Sequence, residues 1–215
     1  MKKRYTVLAP DTDCGKTFAT ATLLKKALDE NINAVACKPV QTGSLDGRSP
    51  DLDFIFAKTG LKVCDEVYSS LISYALKMPA SPLLAAQKEG TLVDFDKIVK
   101  KTLEVSENYD YFLVETAGGI YTPITESASN VDLARSLGFP VIICIPNRVG
   151  AISLSVMCAK ALLSEGLKIE GAIFSQTQKP KNETDEMICK DNVNTFRRIT
   201  GIEVTQDIKF CEKVI

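Results

Sequence analysis

The stretch RYTVLAPDTDCGKTFATATLLKKALDEN, residues 4–31, decides the fold. Residues 4–9 (RYTVLA) form a short run of largely apolar, β-favouring residues, the mark of a buried strand. From Lys16 to Asn31 the apolar positions Phe18, Leu23, Leu24, Ala27 and Leu28 recur at helical spacing. Between them lies Ala9–Thr17, APDTDCGKT. A loop that closes a strand and opens a helix can hold a phosphate, because free backbone N–H groups and the helix N-terminus both face an incoming anion. Gly15-Lys16-Thr17 matches the end of the phosphate-loop pattern GxxxxGK[ST], while Ala9 and Pro10 stand where its leading glycine is expected. Gly15 lets the backbone approach an anion with no side chain in the way. Lys16 then reaches the β- and γ-phosphates, and Thr17 offers its hydroxyl to Mg²⁺.

Outward from this stretch, the pattern repeats. Further strands are expected at 33–37, Asp110–Val114, Pro140–Ile145 and Ile169–Phe174, with a last short one at Ile202–Thr205. Helices are expected at Asp51–Thr59, Ser81–Lys88, Asp94–Asn108, Val131–Leu137, Ile152–Glu165 and Asp185–Thr200. Apolar strands alternating with helices indicate a parallel sheet covered on both faces. The expectation is a single α/β P-loop domain over residues 1–215, with a mainly parallel central sheet and helices on both faces. Gln176–Asp185 reads as a loop within it.

Two more clusters follow strands, where open α/β sheets bind ligands. Cys37–Gly43, CKPVQTG, places Lys38 directly after an apolar strand. Taken alone, Lys38 fits a solvated surface lysine almost as well. Val114–Gly119, VETAGG, places Glu115 at a strand end, as a magnesium-binding carboxylate would be, with Gly118 and Gly119 permitting close approach. Asp51 and Asp53 begin a helix, and there they serve equally as helix-start caps or as ligands.

Composition narrows the chemistry. The chain has 215 residues, 26 basic and 27 acidic side chains, and a net charge of −1, which gives no global attraction to nucleic acid or anionic membranes. It has no histidine, which excludes His-based nucleophilic triads, imidazole acid–base catalysis and His-containing zinc sites. Seven cysteines without CxxC spacing argue against a zinc ribbon or a disulfide framework. With no secretory h-region and no apolar run near the ~20 residues of a membrane span, a cytoplasmic location is expected.

Together the clusters resemble the dethiobiotin synthetase family. Thr12-Asp13-Cys14-Gly15-Lys16-Thr17 matches its T-D-x-x-G-K-T, Lys38–Gly43 its K-P-V-x-[ST]-G, and Val114–Gly119 its V-E-x-A-G-G. Ala80-Ser81-Pro82, followed by Ala85-Ala86, is similar to its S-P-H-x-A-A region. The resemblance runs from residue 4 to about residue 175. It implies a homodimer that uses ATP and Mg²⁺ to join 7,8-diaminopelargonic acid with CO₂ or bicarbonate. It further implies that Lys16, Lys38 and Thr42 are catalytic, and that Thr17, Asp51 and Glu115 hold Mg²⁺. Thr12, Asp13, Cys14, Gly15, Lys16, Thr17, Phe18, Glu115 and Ser175 would contact the nucleotide. Thr12, Lys38, Thr42, Ala117 and Gly118 would contact the substrate, with Gly150, Ala151, Ile152 and Ser153 reaching the neighbouring subunit's site. Departures from the family pattern are Ala9, Leu83, Ser153-Leu154 and Ser175-Gln176, with only fourteen residues after Gly201. They predict weak or relaxed recognition of the nucleotide base, to be checked by competition among ATP, GTP, CTP and UTP.

Two other readings share the fold. A ParA- or MinD-like nucleotide switch carries an extra lysine early in the loop, where this chain has Pro10-Asp11-Thr12. A non-catalytic domain of this fold has no need of Lys16, Lys38, Asp51 and Glu115 together.

Overall fold

A computed structural model describes residues 2–175 and 180–205. The chain runs β1 (Lys3–Leu8), α1 (Lys16–Asp29), β2 (Ala34–Cys37), β3 (Val40–Thr42), α2 (Pro50–Thr59), α3 (Asp65–Ser70), β4 (Tyr74–Leu76) and α4 (Pro82–Glu89). It continues through α5 (Phe95–Ser106), β5 (Tyr111–Glu115), α6 (Asn130–Leu137), β6 (Val141–Pro146), α7 (Ala151–Ser164), β7 (Ile169–Ser175), α8 (Glu183–Thr200) and β8 (Val204–Thr205). Six strands form the main sheet in the order β2-β5-β1-β6-β7-β8, all paired in parallel.

The parallel sheet is buried on both faces, and its side chains divide accordingly. Val7, Ile142, Cys144 and Ile173 join one core with α1, α2 and α5. Their neighbours Leu8, Ile143, Ile145, Ala172 and Phe174 join a second core with α7 and α8. That period-2 division follows from the pleat of a strand. It also explains why the strands read as continuous apolar runs rather than alternating ones.

β1 lies in the middle, with β5 on one side and β6 on the other. The strand order therefore switches direction beside β1. At such a switch point the loops at the carboxyl ends part and leave a crevice. The Ala9–Thr17 loop leaves β1 into that crevice.

Helix ends are set by local chemistry. Ser49, Ser81, Asp94 and Asn182 cap α2, α4, α5 and α8 through side-chain oxygens that accept backbone N–H groups. Gly60, Gly90, Gly138 and Gly201 end four helices in left-handed conformations.

The expected strands and helices are present within a residue or two at each end. One feature escaped the sequence: β3 and β4 pair into a separate two-stranded parallel sheet, with α3 between α2 and β4. Each of these strands is three residues long, too short for periodicity to register. The expected loop 176–185 gives way to α8 from Glu183, two residues before the expected helix start. Residues 176–179, including Gln176, and residues 206–215 lie outside the described residues. Among the described residues no helix is long and apolar enough to cross a membrane.

Candidate active site

A cavity of about 790 Å³ opens at the carboxyl ends of β1, β5 and β7. Thr12, Asp13, Gly15, Lys16, Thr17 and Phe18 form its phosphate-loop wall. Two backbone positions shape that wall: Asp13 at φ 53° and Gly15 at φ 84°. Aspartate tolerates the left-handed region and glycine enters it freely, so the chain turns sharply before α1 starts at Lys16.

Lys16 is buried, and its ammonium donates to the carbonyls of Asp11 (3.1 Å) and Gly118 (2.7 Å). It ties the phosphate loop to the loop after β5. Burial lowers its pKa, and the nearby positive charge of Lys38 adds to the effect.

Lys38 is not a surface lysine. It is only 3% exposed. Its Nζ pairs with Asp51 Oδ2 at 2.7 Å and Glu115 Oε1 at 3.0 Å, and donates to the Thr116 carbonyl at 3.1 Å. Burial alone would lower its pKa, but Glu115 and Asp51 outweigh burial and raise it. Asp51 shows the converse balance. Burial raises its pKa, and Lys38 and the Thr17 hydroxyl bring it below the usual carboxylate value.

Thr17 Oγ1 reaches Glu115 Oε1 at 2.8 Å and Asp51 Oδ1 at 3.3 Å. The three residues expected to hold Mg²⁺ therefore meet at one point. Among the described residues Glu115 Oε2 is buried with no hydrogen-bond partner. A carboxylate oxygen left bare costs free energy unless a cation or donor meets it. Among the described residues no group of three or more carboxylate, thiol or imidazole side chains could hold a metal. Two carboxylates and a hydroxyl suit Mg²⁺, which keeps waters and takes substrate phosphate oxygens for its remaining positions.

Other predicted residues fall as follows. Thr42, Ala117, Gly118 and Ser175 line the same cavity. Cys14 does not: its side chain is buried in the core, and its carbonyl accepts from the Cys144 thiol at 3.1 Å. Gly150, Ala151, Ile152 and Ser153 start α7 and lie off the cavity wall within this chain. Asp53 also faces away from the cavity, pairing with Arg48.

Several contributors were missed. Gln41, Pro50 and Phe54 line the cavity. Gln41 sits at the position the K-P-V-x-[ST]-G pattern leaves open, and Phe54 lies about one turn past Asp51, the only signals either offered. Asn130 is buried, and its amide donates to the carbonyls of Ala117 (2.7 Å) and Gly119 (2.8 Å), fixing the loop after β5. Nothing in the sequence marked it.

Gly119 carries a sharp constraint, because a Cβ there would lie 2.5 Å from the Pro10 carbonyl oxygen. Gly119→Ala must therefore push the phosphate loop aside. It should cost about 1–3 kcal/mol of stability and weaken ADP binding, read by thermal unfolding and ADP titration. Unchanged ADP affinity would contradict this packing.

Acid sensitivity follows from Asp51. Its lowered native pKa stabilises the fold above the ordinary carboxylate value of 3.8, and that contribution is lost as pH falls through the native value. Asp51→Asn should reduce stability by about 1–3 kcal/mol at pH 7. Denaturant titrations should show the gap from the parent chain closing as pH drops below that native value.

Fold and site together define a P-loop enzyme that acts on a nucleoside triphosphate. A family model described as an AAA domain matches residues 3–214. The ATP-dependent dethiobiotin synthetase of Anoxybacillus flavithermus is 35% identical over 211 residues, covering 96% of this chain and 91% of that protein. That of Fusobacterium nucleatum is 32% identical, covering 99% and 94%. The chain belongs to the dethiobiotin synthetase family. Distant solved structures share its fold: a chain of the Aquifex aeolicus MinC:MinD cell division complex has a TM-score of 0.59 at 15% identity, covering 98% of this chain and 84% of that one. A ParA family ATPase from Chlorobium tepidum has a TM-score of 0.56 at 11% identity, covering 95% and 83%.

Proposed function

We propose that this chain is a dethiobiotin synthetase. It converts 7,8-diaminopelargonic acid, CO₂ and ATP to dethiobiotin, ADP and phosphate. One observation carries the site assignment: two buried ammonium groups, Lys16 and Lys38, sit in one cavity with Thr17, Asp51 and Glu115.

The reaction needs no histidine, because the substrate supplies the nucleophiles. One amine takes up CO₂ as a carbamate. A carbamate oxygen attacks the γ-phosphorus of ATP and expels ADP. The second amine then attacks the carbamoyl carbon, closes the ureido ring and expels phosphate. The protein's task is to position reactants and neutralise charge. Lys38, held cationic by its two carboxylates, faces the carbamate and the transferring phosphoryl oxygens. Lys16 exchanges its carbonyl partners for β- and γ-phosphate oxygens, and Thr42 hydrogen-bonds the carbamate. Thr17, Asp51 and Glu115 would hold Mg²⁺, which would supply positive charge against the phosphates when bound. Buried lysines in a site shielded from water stabilise charge more strongly than exposed ones.

The finer assignments belong to the same proposal. The whole chain acts as one domain. It works as a homodimer in which Gly150–Ser153 meet the substrate carboxylate in the neighbouring subunit's site. It resides in the cytoplasm, in keeping with six free cysteines among the described residues, five of them buried.

Phosphate release from ATP tests the activity. Release should require both the diamine and bicarbonate. Release that ignores the diamine would overturn the synthetase reading and favour a nucleotide switch.

A further inference from the structure

Beside the site lies a polar network, buried at Ser49, Gln41 and Tyr68 and open to solvent at Arg48 and Asp53, that the reaction does not itself use. The Tyr68 hydroxyl accepts from the Ser49 backbone N–H at 2.9 Å and lies 2.9 Å from Asp53 Oδ1 and 3.2 Å from the Ser49 carbonyl, either of which can take its proton. Arg48 stacks over the Tyr68 ring at 4.0 Å and forks onto both Asp53 oxygens at 2.9 and 3.3 Å. Ser49 Oγ accepts from Leu52 N–H at 3.1 Å and donates to Gln41 Oε1 at 2.5 Å. Gln41 in turn donates to the Thr42 carbonyl at 2.8 Å.

These bonds bracket Asp51. Ser49 is fixed on one side of it and Leu52 on the other, while Pro50 between them locks φ. Asp51 is thus held by a rigid turn and not by a free helix end. The same Ser49 hydroxyl links that turn to β3, the strand that carries Thr42. Ser49 is fully buried, and Gln41 and Tyr68 are nearly so, so the bonds that Ser49 makes to Tyr68, Gln41 and Leu52 form away from competing water.

We infer that Tyr68, Ser49 and Gln41 are positioning residues that set Asp51 for Mg²⁺ and keep it in register with Thr42. The inference rests on the proposed Mg²⁺ site, but its readout does not require turnover. A hydrogen bond of this kind contributes a factor of about five to ten when it aligns a ligand. Tyr68→Phe keeps the ring and removes the hydroxyl. Gln41→Met keeps the length and removes both the acceptor for Ser49 and the donor to Thr42.

The test is Mn²⁺ binding in the presence of ADP, with free Mn²⁺ counted by electron paramagnetic resonance. Both variants should bind Mn²⁺ about five- to tenfold more weakly, with the ADP affinity of Tyr68→Phe in the absence of metal unchanged. For Tyr68→Phe, which lies off the cavity wall, the Mg²⁺ concentration for half-maximal turnover should rise by a similar factor while turnover at saturating Mg²⁺ stays within about twofold. Thr102→Val, which removes a buried hydroxyl bonded to the Ile98 carbonyl in α5, serves as the control for lost stability alone and should leave Mn²⁺ binding unchanged. If Tyr68→Phe and Gln41→Met lower the unfolding temperature yet bind Mn²⁺ as the parent does, the network is purely structural and the inference fails. Should the parent lack diamine-dependent turnover but bind Mn²⁺ with ADP, the functional proposal fails while the Mn²⁺ comparison still decides this one.

Discussion

Lys38→Met should abolish diamine-dependent turnover, lowering kcat by about 10³-fold or more, while ADP affinity changes little. The substitution also leaves Asp51 and Glu115 close together with their shared cation gone. Removing one partner from a buried ion pair costs about 3–5 kcal/mol. The fold should therefore lose stability as well as activity, and Mg²⁺ should restore part of it, because a divalent cation can replace the missing positive charge. Differential scanning calorimetry with and without Mg²⁺, run beside the kinetic assay, reads both effects. A variant with near-parental stability in metal-free buffer would contradict the paired role assigned to Lys38. Full turnover would remove it from the mechanism.

Lys16→Met should behave in the opposite way. Among the described residues Lys16 pairs with two carbonyls and with no carboxylate, and burial lowers its pKa. For a lysine with a depressed native pKa, the cost of holding the charge is fully present below that native value. It disappears as pH rises past the ordinary value of 10.5. Replacing the ammonium with a thioether removes the cost at pH 7, so stability should stay within about 1 kcal/mol of the parent or rise. Nucleotide binding should suffer instead. The lysine faces the β- and γ-phosphates, and its loss should weaken ATP by about 100-fold and turnover by about 10³-fold. Isothermal titration with a non-hydrolysable ATP analogue checks the first figure. The two lysines are thereby separable: one variant loses stability and catalysis, the other loses nucleotide and catalysis.

How much of this was legible depends on the range of the interactions involved. Residues 4–31 announced strand, loop and helix because each signal there is local: an apolar run, a glycine, a helical period. Lys38 could be placed at a strand end but not in a site, since its burial depends on Asp51 and Glu115, 13 and 77 residues away. Asp51 was balanced between helix cap and ligand, and the structure explains the ambiguity: Ser49 caps α2, which leaves Asp51 free to face Thr17 and Lys38. For Cys14 the place in the loop was legible but not the side-chain direction: the thiol turns inward, against β6, which leaves the backbone as the part of Cys14 able to meet a nucleotide. Asn130 and Tyr68 left no trace in the sequence. Their roles arise from hydrogen bonds to backbone groups 11 to 19 residues away, which no short pattern encodes. The short sheet of β3 and β4 is a similar case, built by pairing across more than thirty residues.

The absence of histidine is what gives the mechanism its most direct test. If the carbamate's own oxygen is the nucleophile, it must leave on the phosphate when the ring closes. Turnover with freshly prepared ¹⁸O-labelled bicarbonate, quenched rapidly and read by mass spectrometry of the products, should place one labelled oxygen in the released phosphate and one in the ureido carbonyl. Unlabelled phosphate under conditions where the bicarbonate has kept its label would mean that water attacks ATP, and the lysine–carboxylate centre would not be a carbamate-phosphorylating site.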